Sequence, residues 1–462
     1  MADFFEGLRE SFRLPDLRRR ILITLLILVI YRIAANVPVP GVDHTILQQV
    51  LDPQENPGVG AFAQVLDLLS GGAVSNFSVL AMGVYPYITA QIIIQLLTPV
   101  IPALEELSKE GQAGRDKLNR YTYYLAIPMA MFQAIGQINI FRNTVTGETI
   151  IPGFGLAAGD DILLTFTVLT VMTAGTMFAI WLGELITEDG IGSGLSLIIF
   201  AGIVSRVPFN ITRLFSADTG VVIRNVVLFL VLTVLTVVVI VIVQQAQRRL
   251  PVKYGKRVRG TKMYGGGTTY LPLPVNAAGM IPLIFAQAFL SFPGILASFF
   301  SQSRSTFVAN ASNAIQNFFG GQGGVAHGGQ LAYWLIYFGM VVGFTYLYTD
   351  VMIRNQNLAD NLQKNGGFIP GIRPGKRTEE FITKVSRRIT LVGALFLGGI
   401  AILPGLVQIV MDLIQPGAGV EVRNAMYIVS GGGLIIIVGV VIDTMRQLEA
   451  QLVMRHRDTF IR

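Results

Sequence analysis

The chain contains no cysteine and few charged residues. The absence of cysteine excludes a disulfide framework, a thiolate nucleophile and a metal site built on sulfur. Charged residues make up 14% of the 462 positions, whereas a soluble domain carries roughly 25%. With 52% hydrophobic residues and a mean hydropathy of +0.59, this composition indicates a polytopic membrane protein.

Sequence motifs of intramembrane enzymes and nucleotide-driven pumps are also missing. The three histidines, His44, His327 and His456, fall in predicted loops or in the tail, and neither HExxH nor GxSxG occurs. No GxxxxGK[ST] loop is present, so the energy for any transport is expected to come from another protein. We therefore expect neither an enzyme nor a bound cofactor or metal.

Apolar windows long enough to cross a bilayer recur along the chain. A helix needs about 20 apolar residues to cross a hydrocarbon core roughly 30 Å thick. About ten windows qualify, which predicts an all-α membrane protein with about ten transmembrane helices. The first window lacks a small-residue cleavage site and is expected to remain as a span. The windows lie near 21–37, 76–98, 121–141, 162–186, 193–213, 224–245, 275–300, 331–352, 386–406 and 425–445.

The segment 66–98 differs from a plain membrane anchor. It starts as a short amphipathic turn and breaks at Ser70, Gly71 and Gly72. Helix breaks and polar side chains at membrane depth persist only where protein or water satisfies them. The segment therefore predicts that the protein lines a path across the membrane. The apolar run after the break carries Gly83, Pro86, Thr89, Gln91 and Gln95.

The distribution of Lys and Arg predicts the orientation. Basic residues concentrate in the N-terminal tail, the C-terminal tail and the loops near 99–120, 246–274 and 353–385, whereas the intervening loops carry acidic residues. Because cytoplasmic loops are enriched in Lys and Arg, both termini are predicted to be cytoplasmic. An even number of spans agrees with this orientation.

The loop 246–274 is the most basic of these segments, with seven basic residues and no acidic one. Its glycine, proline and tyrosine residues favour a protruding hairpin. Such a surface can dock an acidic protein or ribosomal RNA, while the alternative is topology and anionic lipid alone. The candidate contacts here are Lys253, Lys256, Arg257, Arg259 and Lys262.

The loop 353–385 presents one further candidate, Arg373. Glycine and proline on both sides of it, from Gly371 to Gly375, favour a turn that holds one guanidinium group outward. The alternative is a rigid turn with an incidental arginine.

Six motifs in this order resemble the SecY family, whose members are central subunits of bacterial protein-conducting channels. The resemblance covers nearly the whole chain. The motifs are LDLLSGGAVSNFSV with GVYPYITAQIIIQLL, KEGQAGRDKLNRYT, GIGSGLSLIIFAGIV, LPVKYGKRV with TKMYGG, LADNLQKNGGFIPGIRPG, and the final span ending in VIDTM.

The resemblance implies an hourglass of two pseudo-symmetric inverted halves, 1–213 and 214–462, that clamp a narrow waist. A ring of aliphatic side chains at the waist can close by dewetting and seal around a polypeptide without binding a particular sequence. Leu195 and Ile199 lie near the start of their window, so this helix must begin inside a cytoplasmic funnel. The implied ring consists of Val84, Ile88, Leu195, Ile199, Ile284 and Ile436.

The resemblance also implies a plug at about 62–72 that blocks the closed pore. The glycines provide a hinge, and the charge of Asp67 disfavours a stable position in lipid. The alternative is an interfacial re-entrant helix without a gating role. The implied plug residues are Phe62, Leu66, Asp67, Leu68, Ser70, Gly71 and Gly72.

A lateral gate is implied between the second and seventh windows, through which apolar segments leave for lipid. Hydrogen bonds between such helices contribute only about 0.6–2 kcal/mol each, so an inserting helix can open them. Asn276 has the alternative role of a helix cap. The candidate gate residues are Thr89, Gln91, Gln95, Asn276 and Gln287.

The implied function is a channel subunit that moves unfolded secretory chains across the bacterial plasma membrane and releases membrane segments laterally into lipid. The implied partners are the membrane subunits SecE and SecG, the ATPase SecA, the ribosome, precursor chains and membrane lipids. An ion-coupled secondary transporter is the alternative, but its coupling residue would lie near the midplane. The acids Glu184, Asp350 and Asp443 instead fall at predicted span ends.

Overall fold

Long helices dominate the molecule, and its described residues also form a three-stranded antiparallel sheet, which we call the sheet, and a separate two-stranded antiparallel pair, Arg257–Arg259 with Lys262–Tyr264. The computed structural model describes residues 14–51, 70, 72–141, 150–155, 161–214, 219–254, 257–259, 262–264, 267–300, 305–319, 327–356, 358–414 and 432–459.

Eight helices of the described ranges precede the sheet in the chain. Short helices α2 and α4 alternate with long apolar ones, and Pro86 and Pro102 occupy the first turns of α3 and α4, where a missing N–H costs nothing. The helices are α1 Pro15–Ala34, α2 His44–Leu51, α3 Tyr85–Leu97, α4 Pro102–Lys109, α5 Gln112–Ile140, α6 Ile162–Asp189, α7 Gly194–Leu214 and α8 Thr219–Gln245.

The strands and the remaining helices complete the chain. The strands are β1 Gln247–Tyr254, β2 Arg257–Arg259, β3 Lys262–Tyr264, β4 Thr268–Pro274 and β5 Gly367–Phe368. The helices are α9 Ile281–Ser298, α10 Thr306–Asn317, α11 His327–Gln356, α12 Leu358–Lys364, α13 Lys376–Ile414 and α14 Gly432–Thr459.

A helix lies in each of the ten predicted membrane windows. By length and composition alone, three stretches of the described chain can cross a membrane: Ile162–Asp189, Leu331–Lys364 and Lys376–Leu406. A fourth is possible if Tyr85–Leu97 and Pro102–Ser108, bent by 103°, form one broken span. The architecture is that of an all-α membrane protein, and the count of ten spans stays a prediction.

The second window is not the continuous helix that its apolar run predicted. Helix α3 begins only at Tyr85, and the preceding residues 72–84 form turns. Phe77 and Gly83 both have positive φ, 41° and 52°, which no α-helix accommodates. The apolar side chains here fill a buried turn: Phe77 is fully buried and its ring meets Phe141 edge-on at 5.9 Å. Hydrophobicity alone does not distinguish such a turn from a helix.

A single large apolar core connects the helices before the sheet with those after it. Helix α9 packs against both α3 and α5, and helix α14 packs against α7 and α8. We call the contact of α9 with α3 and α5 the α9 seam. These contacts join chain segments that are far apart in sequence. The helices before the sheet therefore pack against the helices after it at more than one interface.

The predicted basic hairpin is present, and it belongs to a larger sheet. Strands β1 and β4 pair in antiparallel register from Gln247 with Pro274 to Lys253 with Thr268. Strand β5, from the second basic loop, pairs with the other edge of β1, where Lys253 lies opposite Phe368. Leu250, Leu273 and Val385 form a small apolar cluster that fastens the sheet to α13. The two loops that were predicted separately therefore form one unit.

Candidate functional site

The six predicted ring residues lie on four helices that share the apolar core, except that Val84 directly precedes α3. Five of them are buried members of one hydrophobic cluster, and Leu195 is partly buried against it. Helices α3 and α9 pack together, as do α7 and α14, so the ring residues sit on two packed helix pairs. The assignment of a waist to them stays a prediction. The buried five are Val84, Ile88, Ile199, Ile284 and Ile436.

Leu195 is positioned by a close crossing of α6 and α7. A Cβ atom on Gly183 would lie 2.8 Å from Cδ2 of Leu195, and a Cβ atom on Gly194 would lie 1.7 Å from the carbonyl oxygen of Gly183. Only glycine permits this approach of the two backbones. Helix α7 begins at Gly194, so Leu195 lies in its first turn.

Only two of the predicted plug residues, Ser70 and Gly72, fall within the described part of the chain. The hydroxyl group of Tyr31 on α1 donates a hydrogen bond of 3.0 Å to the carbonyl oxygen of Ser70. Ser70 is buried, and Gly72 has a φ of 89°, which favours glycine. The described end of this segment is therefore fixed to α1. Phe62, Leu66, Asp67, Leu68 and Gly71 lie outside the described residues.

A hydrogen bond from Tyr85 crosses the α9 seam. Its hydroxyl group donates to the carbonyl oxygen of Ala288 on α9 at 2.9 Å, and both atoms are buried. Tyr85 is the first residue of α3 and lies directly after the ring residue Val84. This bond joins residues 203 positions apart in sequence.

Two of the predicted gate residues, Thr89 and Asn276, have hydrogen-bond partners outside the predicted set. Thr89 accepts a hydrogen bond of 3.1 Å from Nε2 of Gln133 on α5, and Asn276 donates to the carbonyl oxygen of Gly279 at 3.0 Å. Within the described residues, no hydrogen bond joins Gln91 or Gln95 of α3 to Asn276 or Gln287. Asn276 closes the turn before α9 instead of capping the helix, whose first residue is Ile281.

The contact between α5 and α9 is tight and mostly apolar. The ring of Phe132 stacks on that of Phe299 at 4.9 Å, and a Cβ atom on Gly136 would lie 2.4 Å from Cγ2 of Ile295. Any side chain at Gly136 therefore has to displace α9.

A small cavity lies in the α9 seam and is lined partly by polar side chains. Tyr85, Gln133, Gln137 and Ile295 contribute to its wall. Gln133 is almost fully buried, and in the described part of the chain its Oε1 atom has no hydrogen-bond partner. A buried acceptor without a partner costs about 1–3 kcal/mol.

Sequence reasoning missed Tyr85, Gln133 and Gly136. Tyr85 belongs to the recognised motif, but its partner is a backbone carbonyl group, which no side-chain pattern identifies. Gln133 and Gln137 lie four residues apart on one face of an apolar helix, and this repeat of buried amides was the available signal.

The sheet and the turn after it form a basic surface that we call the platform: β1, β4, β5 and residues 371–375. Arg373 and Lys253 are exposed. Gly371 and Gly375 have φ values of 83° and 100°, and the carbonyl oxygen of Arg373 accepts a hydrogen bond of 2.9 Å from the hydroxyl group of Thr378. The turn therefore holds Arg373 in a fixed position. For Arg257, Arg259 and Lys262 only strand backbone is described, and Lys256 lies outside the described residues.

No group of three or more His, Asp or Glu side chains in the described ranges has a geometry suited to a metal ion. The polar contacts found here are amide, hydroxyl and guanidinium groups along helix contacts and on the platform. Such groups hold surfaces together or bind a partner.

Comparisons with known proteins agree on one family. A family model described as SecY matches residues 78–445. The protein translocase subunit SecY of Mycobacterium bovis is 41% identical over 455 residues, covering 98% of this chain and 99% of the relative. The SecY of Thermotoga maritima is 38% identical over 461 residues, covering 99% of this chain and 98% of the relative.

Solved structures show the same fold at low sequence identity. A protein-conducting channel superposes with a TM-score of 0.61 at 18% identity, covering 94% of this chain and 93% of that one. Sec61 from a canine ribosome-channel complex superposes with a TM-score of 0.57 at 18% identity, covering 94% and 93%.

Proposed function

The chain belongs to the SecY family, and on this premise we propose that it is the channel subunit of a protein translocase. It moves unfolded polypeptides across the plasma membrane and releases membrane-protein segments laterally into lipid. The observation that carries the proposal is the arrangement of buried aliphatic residues on two helix pairs, α3 with α9 and α7 with α14. Each pair joins a helix before the platform to one after it.

In this proposal the two halves are 1–213 and 214–462, and the aliphatic ring is the closed waist between them. Branched aliphatic side chains exclude water and ions when packed, and they release a passing chain because they form no directed bonds with it. The buried state of Ile88, Ile284 and Ile436 supports a closed waist. The segment 62–72 acts as the plug, and the bond from Tyr31 to Ser70 anchors its described end.

The α9 seam is the proposed lateral gate, with Thr89, Gln91, Gln95, Asn276 and Gln287 in or near it. Gln133 and Tyr85 join this set on the basis of their contacts. The unpartnered Oε1 of Gln133 favours opening, while the hydrogen bond from Tyr85 and the Phe132 stack oppose it. A gate whose closed state is only slightly favoured responds to a modest driving force, such as the insertion of an apolar segment.

Replacing Tyr85 with phenylalanine should make the gate easier to open. The change removes the hydrogen bond to Ala288 and the interactions of the same hydroxyl group with the side chains of Ser291 and Thr89. The loss of one hydrogen bond is worth about 1 kcal/mol, or roughly a fivefold shift toward the open seam. A reporter enzyme with a shortened signal sequence should then be exported faster. The control is Tyr87→Phe, because the ring of Tyr87 packs at 5.4 Å against Tyr123 of α5, away from α9. Equal effects of both changes would argue against a gating role for Tyr85.

The platform, together with residues 256–262 of the loop between β1 and β4, is the proposed docking site for SecA and for translating ribosomes, with Lys253, Lys256, Arg257, Arg259, Lys262 and Arg373 as contacts. A platform in the cytoplasm requires cytoplasmic termini, as the charge distribution predicts. SecE and SecG are the proposed membrane partners. The energy of transport then comes from the docked partner, because the chain has no phosphate-binding loop.

The change Arg373→Glu should weaken ribosome docking about tenfold or more, because a charged hydrogen bond contributes about 1.5–3 kcal/mol. The loss of one phosphate contact should also reduce the salt dependence of binding by about one unit of slope. Binding of the translocase in nanodiscs to ribosomes and to SecA, at several salt concentrations, measures both effects. Arg120→Glu is the matched control, an equal charge reversal at an exposed site on α5. Equal losses from both variants would exclude a specific platform contact.

Cross-linking tests the proposed path directly, because the chain has no native cysteine. One cysteine replaces Ile88, and another is placed in a secretory chain that is stalled during transport. We expect a disulfide bond between them only when the substrate carries a signal sequence and a docking partner is present.

The control for cross-linking is a cysteine at exposed Val227 on α8, outside the ring. This cysteine should form no disulfide bond with the stalled chain under the same conditions. Failure of Ile88→Cys together with Leu195→Cys, Ile284→Cys and Ile436→Cys would reject the ring assignment and return the ion-coupled transporter to consideration.

A further inference from the structure

Helix α10 has an exposed apolar face that the proposed channel function does not use. Phe307 is 81% exposed, and Val308 and Ile315 are also exposed. Together with the exposed Ala311 and Ala314 they lie at i, i+1, i+4, i+7 and i+8, which is one face of a helix. Asn310 and Asn313 lie on the neighbouring side of this helix and are exposed as well, with Asn313 farther from the apolar face than Asn310.

The composition of α10 is unusual for a helix surrounded by water. Residues 305–319 contain no charged side chain, and their polar residues are all serine, threonine, asparagine or glutamine. The short surface helix α4, by contrast, carries two glutamates and one lysine in eight residues. An apolar stripe beside a neutral polar face fits a lipid headgroup region, where the stripe inserts and the amides stay hydrated.

The position of α10 places this face next to the lipid-facing surface of α9. Phe289, Leu296 and Phe300 form an exposed apolar line along α9 and just beyond its last residue. Helix α9 starts soon after β4 of the platform, so its far end and α10 lie at the opposite side of the helix bundle. Helix α10 thus adjoins the end of α9 at which exposed apolar side chains, Leu296 and Phe300, are found.

Helix α10 is firmly attached to α9 and α11. The buried hydroxyl group of Ser312 donates a hydrogen bond to the carbonyl oxygen of Ala297 near the end of α9. Directly after α10, the ring of Phe318 packs edge-on against Tyr333 of α11 at 6.5 Å, and the Cβ atom of Phe319 lies close to Gly294. Any force on α10 therefore reaches the end of α9.

We infer that α10 is an interfacial helix that inserts Phe307, Val308 and Ile315 into the lipid headgroup region opposite the platform and thereby anchors α9 in the bilayer. The occupant of this face is the lipid bilayer. The absence of charge on α10 means that apolar insertion, not attraction to anionic lipid, holds it there.

Site-directed fluorescence tests this inference without reference to transport. Single cysteines at Phe307 and Ile315, and at Asn310 and Asn313 as controls on the same helix, carry an environment-sensitive probe in the purified translocase in lipid nanodiscs. Probes at 307 and 315 should be quenched several-fold more by lipids with a nitroxide near the top of the acyl chain than by iodide. Probes at 310 and 313 should show the reverse.

Two outcomes would overturn the inference. Iodide quenching of all four probes would place the apolar face in water, and protection of 307 and 315 from both quenchers would indicate a protein partner. Phe307→Asp combined with the probe at 315 provides a second measurement, because the added charge should move that probe toward water. Asn313→Asp adds the same charge to the polar face and should leave the probe at 315 in lipid.

Discussion

Replacing Gly136 with alanine should open the proposed lateral gate. The new Cβ atom would lie 2.4 Å from Cγ2 of Ile295, which is well inside van der Waals contact. Ile295 is buried and β-branched, so its side chain has little freedom to turn away. Overpacking of this kind costs about 1–3 kcal/mol, and separation of α5 from α9 relieves it.

We expect faster export of a reporter with a defective signal sequence. The equilibrium between the closed and the open gate should shift toward the open state by roughly 5- to 150-fold. A matched change is Gly343→Ala on α11, where nothing lies within 4 Å of the added atom. Gly175→Ala adds a clash with the backbone of Val79, away from the α9 seam. If Gly175→Ala relaxed the signal requirement equally, general loosening of the bundle would explain both results.

A double substitution separates a steric wedge from other effects of the alanine. Ile295→Ala removes the Cγ2 atom that the new methyl group meets. The pair Gly136→Ala with Ile295→Ala should therefore regain much of the original stringency, whereas two independent effects would add. Persistence of the full effect in the double variant would contradict the wedge.

The features that the sequence predicted well depend on local patterns. Each of the ten long apolar windows contains a helix, because a bilayer of fixed thickness demands a fixed length of apolar residues. The basic hairpin follows from its turn residues, and the pairing of β1 with β4 confirms it. The six motifs identify the family, since their order is specific even where each alone is weak.

The features that the sequence did not predict depend on contacts between residues that are far apart in the chain. The pairing of Lys253 with Phe368 joins two loops into one platform, and nothing local to either loop indicates the other. The start of α3 was placed too early because a buried turn and a buried helix have the same hydrophobicity. Phe77 is an example: it is hydrophobic and buried, but its positive φ places it in a tightly packed turn and not in a helix.

The candidate site likewise has residues that sequence comparison identifies and contacts that only the three-dimensional structure shows. The ring residues are ordinary aliphatic side chains, and only the family resemblance distinguishes them from other core residues. The contact of Gln133 with Thr89 and the close approach of Gly136 to Ile295 require three-dimensional packing to be seen. Both contribute to the energetics of the seam, which no composition or spacing of the sequence expresses.

A polar side chain in the aliphatic ring should make the closed channel leak ions. Ile436 is fully buried in the core, and replacing it with asparagine places an amide among apolar neighbours. A buried amide without partners costs about 2 kcal/mol, and hydration of the waist relieves that cost. The hydrated, conducting state should then become roughly 30-fold more populated.

Ile435→Asn provides a matched control for this change. Ile435 is equally buried, precedes Ile436 on the same helix and lies outside the proposed ring, so both variants should lose similar stability. Ion conductance of the purified complex in planar bilayers, without substrate, measures the leak, and thermal unfolding measures the stability. We expect a large leak from Ile436→Asn and little from Ile435→Asn, because only a side chain that faces the pore can recruit water into it. Equal leakage from two variants of equal stability would mean that the barrier to ions lies elsewhere than at the ring.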